Sequence, residues 1–243
     1  MTPGTSKPMT ISKSHPNRGP HNWLIYDVGD KFLLAHRRLY RGDLYDLGCG
    51  DMPFKSFFLQ HCEHYIGVDW NSSLHPTVPD IAADLNATLP IPDSAADTVV
   101  SISVLEHLRE PRIMLSEAHR ILRRGGHIIL HVPFQWHVHE APYDFFRFTR
   151  FALQDLLEQA GFSEIDIEPT TGFWSMWVLK LNYQLKKLVR GPAAVRIVMQ
   201  LALAIPWWLN QHLARLLDRV WRGQDETAGY VVTATKAAES GDC

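Results

Sequence analysis

The stretch Asp46-Leu47-Gly48-Cys49-Gly50 sets an acid and two glycines at the end of a short apolar run. Glycine has no Cβ, so the chain can turn tightly at 48 and 50 and a ligand can approach the backbone amides closely. A second apolar run, 65–68, ends in Asp69, 19 residues after Gly50. A carboxylate about 20 residues beyond a glycine turn, at the end of the next strand, is placed to accept hydrogen bonds from ribose hydroxyls. Together these features point to an adenosine-containing cofactor. A dinucleotide turn would continue to a third glycine that packs beneath a pyrophosphate, but residues 51–53 are Asp-Met-Pro. Asp51 also puts negative charge where a diphosphate would need bare amides. The turn therefore suits a cofactor without phosphates, and a nicotinamide-dependent oxidoreductase is disfavoured.

Such a turn has to be held by a sheet. Short apolar segments at 44–47, 65–69, 80–83, 97–102, 127–132, 164–168 and 229–235 read as strands. Helical spacing marks 23–41, through Leu24, Val28, Phe32, Ala35 and Leu39, and further helices are expected at 53–61, 111–122 and 149–160. Gly125-Gly126 and Gly161 are expected to stop two of these helices. The alternation implies an α/β fold whose largely parallel sheet carries helices on both faces.

The chain resembles class I S-adenosylmethionine-dependent methyltransferases, the broad family with a small Rossmann-like domain. The resemblance rests on Asp46-Leu47-Gly48-Cys49-Gly50, Ile66-Gly67-Val68-Asp69, Ala83-Asp84-Leu85, and Asp97-Thr98-Val99-Val100 running into Val104-Leu105-Glu106-His107. It continues through Arg120-Ile121-Leu122-Arg123-Arg124-Gly125-Gly126 and His139-Glu140-Ala141-Pro142-Tyr143-Asp144, so that about half the chain is covered in the family's order. It implies a doubly wound, seven-stranded sheet with an antiparallel last strand, 229–235, and S-adenosyl-L-methionine as cofactor. It also implies cofactor-binding roles for Asp46, Gly48, Cys49, Gly50, Asp69, Trp70, Asp84, Leu85, Ser103 and Val104. Gly48 to Gly50 would cradle the methionine portion, Asp69 would bind the ribose, Asp84 with Leu85 would lie beside the adenine, and Ser103 with Val104 would line the other side. Many members carry glycine where Met52 stands. For Asp84 a turn-forming role is the alternative.

The richest polar cluster follows the fifth strand: His131, then 135–147, Gln-Trp-His-Val-His-Glu-Ala-Pro-Tyr-Asp-Phe-Phe-Arg. Ligands of open α/β sheets bind outside the carboxyl ends of the strands, where this loop must sit. Imidazole can take a proton from a hydroxyl near neutrality. His137 and His139 are the candidate bases, with Glu140, Asp144 and Arg147 as orienting partners; alternatively Glu140, Asp144 and Arg147 hold the loop to the domain. Glu106-His107 resembles the second half of the Glu-x-x-Glu-His metal set of small-RNA 3′-terminal methyltransferases, but Ser103 stands at the first glutamate. A structural or cofactor-lining role is expected for the pair. A metal site of His137, His139 and Glu140 is weakly indicated by its loop spacing, and no metal is assigned.

With 243 residues the chain holds one domain plus embellishment. Its formal net charge of −2 argues against general nucleic-acid coating. Cys49, Cys62 and Cys243 fit no disulfide or metal spacing, which suits a reducing, cytoplasmic setting. Residues 1–20 carry four prolines and no apolar core, and read as a disordered leader rather than a signal peptide. The methyltransferase domain is expected over 21–171 and 223–238. Between these parts lies an insertion, 172–222, with five of the eight tryptophans, eight Lys or Arg and the single acid Asp218, a net of +7. Within it 195–209 is nearly apolar, interrupted by Pro206 and shorter than the ~20 residues of a membrane span. The insertion reads either as a lid or dimer surface, or as an element lying on an anionic membrane at its inner face. The acceptor is accordingly a small molecule, a glycan or a lipid-linked group, with oxygen favoured by the histidines. The second reading of the whole chain is a non-catalytic binding protein that docks through the insertion.

Overall fold

The computed structural model describes residues 11–15, 17–70, 78–221, 223 and 225–238. Its centre is a seven-stranded sheet: β1 (Asp43–Leu47), β2 (His64–Asp69), β3 (Ile81–Ala82), β4 (Ala96–Ile102), β5 (Leu122–Pro133), β6 (Ser163–Pro169) and β7 (Gly229–Thr235). The spatial order is β3-β2-β1-β4-β5-β7-β6. β7 runs antiparallel to both β5 and β6, and the other pairings are parallel. The chain winds outward from β1 to β3, then restarts beside β1 with β4. A crevice opens at the carboxyl ends of the strands at such a reversal point.

Successive strand residues face opposite sides of the sheet, and here both sides are buried. Val99, Ile128, Leu130 and Val132 join one core cluster with Met114, Leu115, Leu153 and Leu157, from α3 (Pro111–Ile121) and α4 (Arg150–Gln159). Val100 and Ile129 join the other, with Leu33 of α1 (Trp23–Ala35) and with Phe57 and Phe58 of α2 (Lys55–Phe58). That two-sided burial explains why the central strands are apolar without a polar face.

Several element ends differ from expectation. α1 stops at Ala35 rather than 41, because the chain turns there and brings Tyr40 onto Phe57 and Phe58, with ring centres 5.8 and 5.0 Å away. α2 covers only Lys55–Phe58 of the expected 53–61; Met52 before it is left-handed (φ 52°), and the chain leaves it through turns that end at Cys62. α3 ends at Ile121, and Leu122 is already extended (ψ 139°), so the helix is over before Gly125. Gly161 does close α4, at φ 93° with Phe162 N–H donating to Leu157 O. The leader expected to be disordered over 1–20 has structure in its described part. Ile11–Ser14 forms a 3-10 turn, and Ser12 N–H donates to the buried Asp30 (2.9 Å). Residues 1–10 and 16 lie outside the described residues, as do Cys243 and Arg222, an end of the expected insertion.

The insertion is a helical hairpin, α5 (Phe173–Leu188) and α6 (Ala193–Val220). α6 runs through Pro206, where an interruption was expected. Polar latches fix its C-terminal half to the domain. Gln211 accepts from Leu24 N–H (3.0 Å) and donates to Pro20 O (2.9 Å), Arg215 pairs with Asp27, and Asn182 and Asn210 bond each other across the hairpin.

Candidate active site

The turn after β1 is braced from the carboxyl end of β2. Gly48 and Cys49 N–H both donate to Val68 O at 2.8 and 3.2 Å, and Gly50 N–H donates to the Asp69 carboxylate at 2.7 Å. Gly48 has φ 82°, and a Cβ there would lie 2.3 Å from Val104 Cγ2, so no other residue fits. Asp46, opposite Gly67 and Val100 in the sheet, is buried and accepts from Tyr65 O–H at 2.5 Å. Burial pushes its pKa up to about 7; Tyr65 opposes this and Asp69 adds to it. The Cys49 thiol is pushed to about 12 by burial and by Asp46, Asp69 and Asp80, so it stays a neutral thiol. Asp80, which the sequence reading did not single out, accepts from Gly67 N–H (2.8 Å) and lies 3.7 Å from Lys55. An acid standing just before a two-residue strand gave no pattern to find it by.

Asp84 lies just beyond β3, whose end adjoins Asp69. Its Oδ1 closes a turn with the Asn86 backbone and side-chain amides at 2.9 and 2.8 Å, and Leu85 is buried in the core. Ser103, at φ 57°, bonds the His131 ring at 2.9 Å, and Val104 covers Gly48. Burial lowers the His131 pKa. Exposed Trp70, after β2, meets Tyr143 edge-on at 5.2 Å, which joins the β2 end to the loop after β5.

That loop brings the five catalytic candidates close together in two groups. Asp144 takes both terminal nitrogens of Arg147 (2.5 and 2.7 Å) and the His139 amide (2.9 Å), while Arg147 also donates to His137 O (3.0 Å). Burial alone would raise the Asp144 pKa, but these partners outweigh it and hold it at about 2. Asp144 and Arg147 thus brace the loop. His137 packs against Trp136 and against Tyr183 of α5, with ring centres 5.1 and 4.5 Å away, and burial lowers its pKa. His139 and Glu140 turn instead toward Glu106-His107. The Nε2 atoms of His107 and His139 lie 3.5 and 3.6 Å from Glu106 Oε1, and Glu140 Oε2 lies 3.8 Å from His107 Nε2. The nearby Glu106 raises the His139 pKa against the effect of burial.

A methyltransferase-domain family model matches residues 45–130, from β1 into β5. A relative from Mycolicibacterium smegmatis, named "Probable S-adenosylmethionine-dependent methyltransferase", is 29% identical over 222 residues, 85% of this chain and 82% of that protein. A Mycobacterium tuberculosis protein of the same description is 31% identical over 122 residues, 44% of each chain. Among solved structures, an Archaeoglobus fulgidus methyltransferase has TM-score 0.54 at 16% identity, covering 88% of this chain and 94% of that one. Phosphoethanolamine N-methyltransferase 2 of Haemonchus contortus, solved with S-adenosyl-L-methionine, has TM-score 0.57 at 12% identity, covering 96% and 61%. The family model, the relatives and the fold together support a class I S-adenosylmethionine-dependent methyltransferase.

The methyltransferase turn fits this cofactor on its own chemistry. Three carboxylates, Asp46, Asp69 and Asp80, act on the space around Cys49, a field that favours a cationic sulfonium and repels a diphosphate. Gly48 and Gly50 would leave the backbone bare for the methionine portion, and Asp69, at the end of β2, would take the ribose. When bound, S-adenosyl-L-methionine supplies a methyl group already activated on sulfur. The protein's share is alignment and exclusion of water.

Proposed function

We propose that this methyltransferase methylates a hydroxyl oxygen on a lipid-linked acceptor drawn from an anionic membrane surface. The observation that carries the reading is the outer side of the hairpin. Val198, Leu201, Ile205 and Trp208 recur at helical spacing on α6, each more than half exposed. Lys186, Lys187, Arg190 and Arg196 cluster around the hairpin tip. An apolar face beside cations is the pattern of a helix lying in a lipid interface. The same hairpin touches the acceptor loop through Tyr183 and His137, so a headgroup at the interface lies on the side where the methyl must arrive. The His137 ring gives the hydroxyl proton a place to go.

By length and composition α6 is apolar enough to cross a membrane, with 28 residues and a mean hydropathy of 1.3 in its most apolar window. Lying flat is favoured because Gln211 and Arg215 bolt its second half to the domain. The remaining 193–206 would reach only about 21 Å, against a hydrocarbon core of about 30 Å. The test supplies purified enzyme and methyl-labelled cofactor to a membrane fraction and to delipidated extract. Label in the organic-soluble material, in a product that mass spectrometry identifies as a methyl ether, is expected. Label confined to water-soluble small molecules would reject a lipid-linked acceptor.

A further inference from the structure

Glu106 is fully buried and, among the described residues, neither carboxylate oxygen has a hydrogen-bond partner. An unpaired buried carboxylate is strongly unfavourable, so the chain should have something to offer it. Nearest its oxygens are two imidazoles, both with Nε2 toward Oε1 at 3.5 and 3.6 Å, too far for hydrogen bonds, while the Arg147 guanidinium and His131 feel its charge from farther off. The other ring nitrogens are already committed. His107 Nδ1 lies 2.9 Å from Tyr143 O, and His139 Nδ1 lies 3.3 Å from His137 O and 3.4 Å from the Asp144 carboxylate. Facing acceptors only, each Nδ1 carries a proton, so that in the neutral imidazoles the Nε2 lone pairs are turned toward the carboxylate.

We propose that Glu106, His107 and His139 bind one divalent transition-metal ion of the zinc, cobalt, manganese or iron(II) class. Their ligand atoms all lie within 4.8 Å of one another. Ligands held about 2.1 Å from an ion at the corners of a tetrahedron are about 3.4 Å apart, close to the separations found here. Imidazoles whose second nitrogen is fixed by a carbonyl or carboxylate are the usual form of metal-bound histidine. Two imidazoles and one carboxylate favour a borderline ion over magnesium or calcium, which prefer all-oxygen shells. Three protein ligands leave a further position open, which Glu140, 3.8 Å from His107 Nε2, can fill or vacate. The site adjoins the cofactor turn, since Val104, two residues before Glu106, covers Gly48.

The test titrates chelator-stripped full-length protein with Co²⁺, followed by visible absorption, and with Zn²⁺ and Mg²⁺ by calorimetry. One Co²⁺ and one Zn²⁺ per chain are expected, with no competition from Mg²⁺. Glu106→Gln, His107→Ala and His139→Ala should each weaken binding at least about tenfold, while His212→Ala, on the hairpin, leaves it unchanged. Binding of S-adenosylhomocysteine by each variant shows that the fold and the cofactor crevice are intact. No stoichiometric Co²⁺ or Zn²⁺ binding, or binding that survives both histidine substitutions in variants that still take S-adenosylhomocysteine, would overturn the site.

Discussion

Asp46 carries an electrostatic cost that the cofactor turn imposes. Buried with Asp69 nearby, its pKa rises from 3.8 to about 7. The native state therefore holds this proton more tightly than the unfolded chain does. The sign follows: with respect to this group, stability is greatest below about pH 4, falls as pH rises toward about 7, and is flat beyond. Asp46→Asn keeps an acceptor for Tyr65 O–H and removes the charge. Its stability relative to wild type should rise between about pH 5 and pH 8 in urea denaturation, by at most about 3 kcal/mol at about 1.4 kcal/mol per pKa unit. Parallel stability curves would mean that Asp46 is not held protonated by burial. At this scale the sequence was legible where chemistry is local. Asp46, Gly48, Gly50 and Asp69 meet as their spacing implied, because adjacent parallel strands bring their ends together. Glu106-His107 was legible as half of a metal set, but Ser103 in place of its first glutamate turned the reading to a structural role; that His139 joins the pair depends on loop 134–149 folding back until Phe145 and Phe146 N–H donate to Glu106 O.

Among the elements, the strands were easier to read than the helices. The core strands are apolar on both faces for most of their length, and β7 begins and ends where its valines and threonines suggested. Helix ends depend on tertiary partners that periodicity does not contain: Tyr40 ends α1 by packing inward, and α6 outlasts Pro206 because its second half is latched to α1. Asp218, the single acid of the hairpin, shows the same dependence. Its carboxylate accepts from Gly172, Trp174 and Ser175 N–H at 3.3, 2.9 and 3.1 Å, capping the start of α5 from across the hairpin. Free helix N-termini are stabilised by such acceptors, and losing one costs about 1–2 kcal/mol. Asp218→Ala should speed hydrogen exchange in the first turn of α5 while S-adenosylhomocysteine affinity is unchanged. Unaltered exchange there would show that the cap contributes nothing to the hairpin.

Across the whole molecule, charge and apolar surface are segregated in the same direction. The hairpin region 172–222 carries +7 within a chain of net −2, so the remainder carries −9. Among the described residues only the hairpin also exposes a row of aliphatic and tryptophan side chains, including Leu188, Leu201, Ile205, Trp208 and Trp221. An anionic bilayer would attract this end and repel the other, which orients the molecule before any apolar contact forms. A cation near such a surface contributes about 1 kcal/mol. The double variant Lys186→Glu/Lys187→Glu should therefore bind vesicles containing phosphatidylglycerol well over tenfold more weakly than wild type. Leu201→Glu/Ile205→Glu should lose the binding that remains for wild type in high salt, because the Debye length of about 10 Å at 0.1 M falls to about 3 Å at 1 M and leaves apolar insertion as the attraction. Co-sedimentation with anionic and with pure phosphatidylcholine vesicles separates the two contributions. If wild type stays in solution with both, and sedimentation velocity instead finds a dimer that Leu201→Glu/Ile205→Glu dissociates, the covering partner is a second copy of the chain and the membrane reading fails.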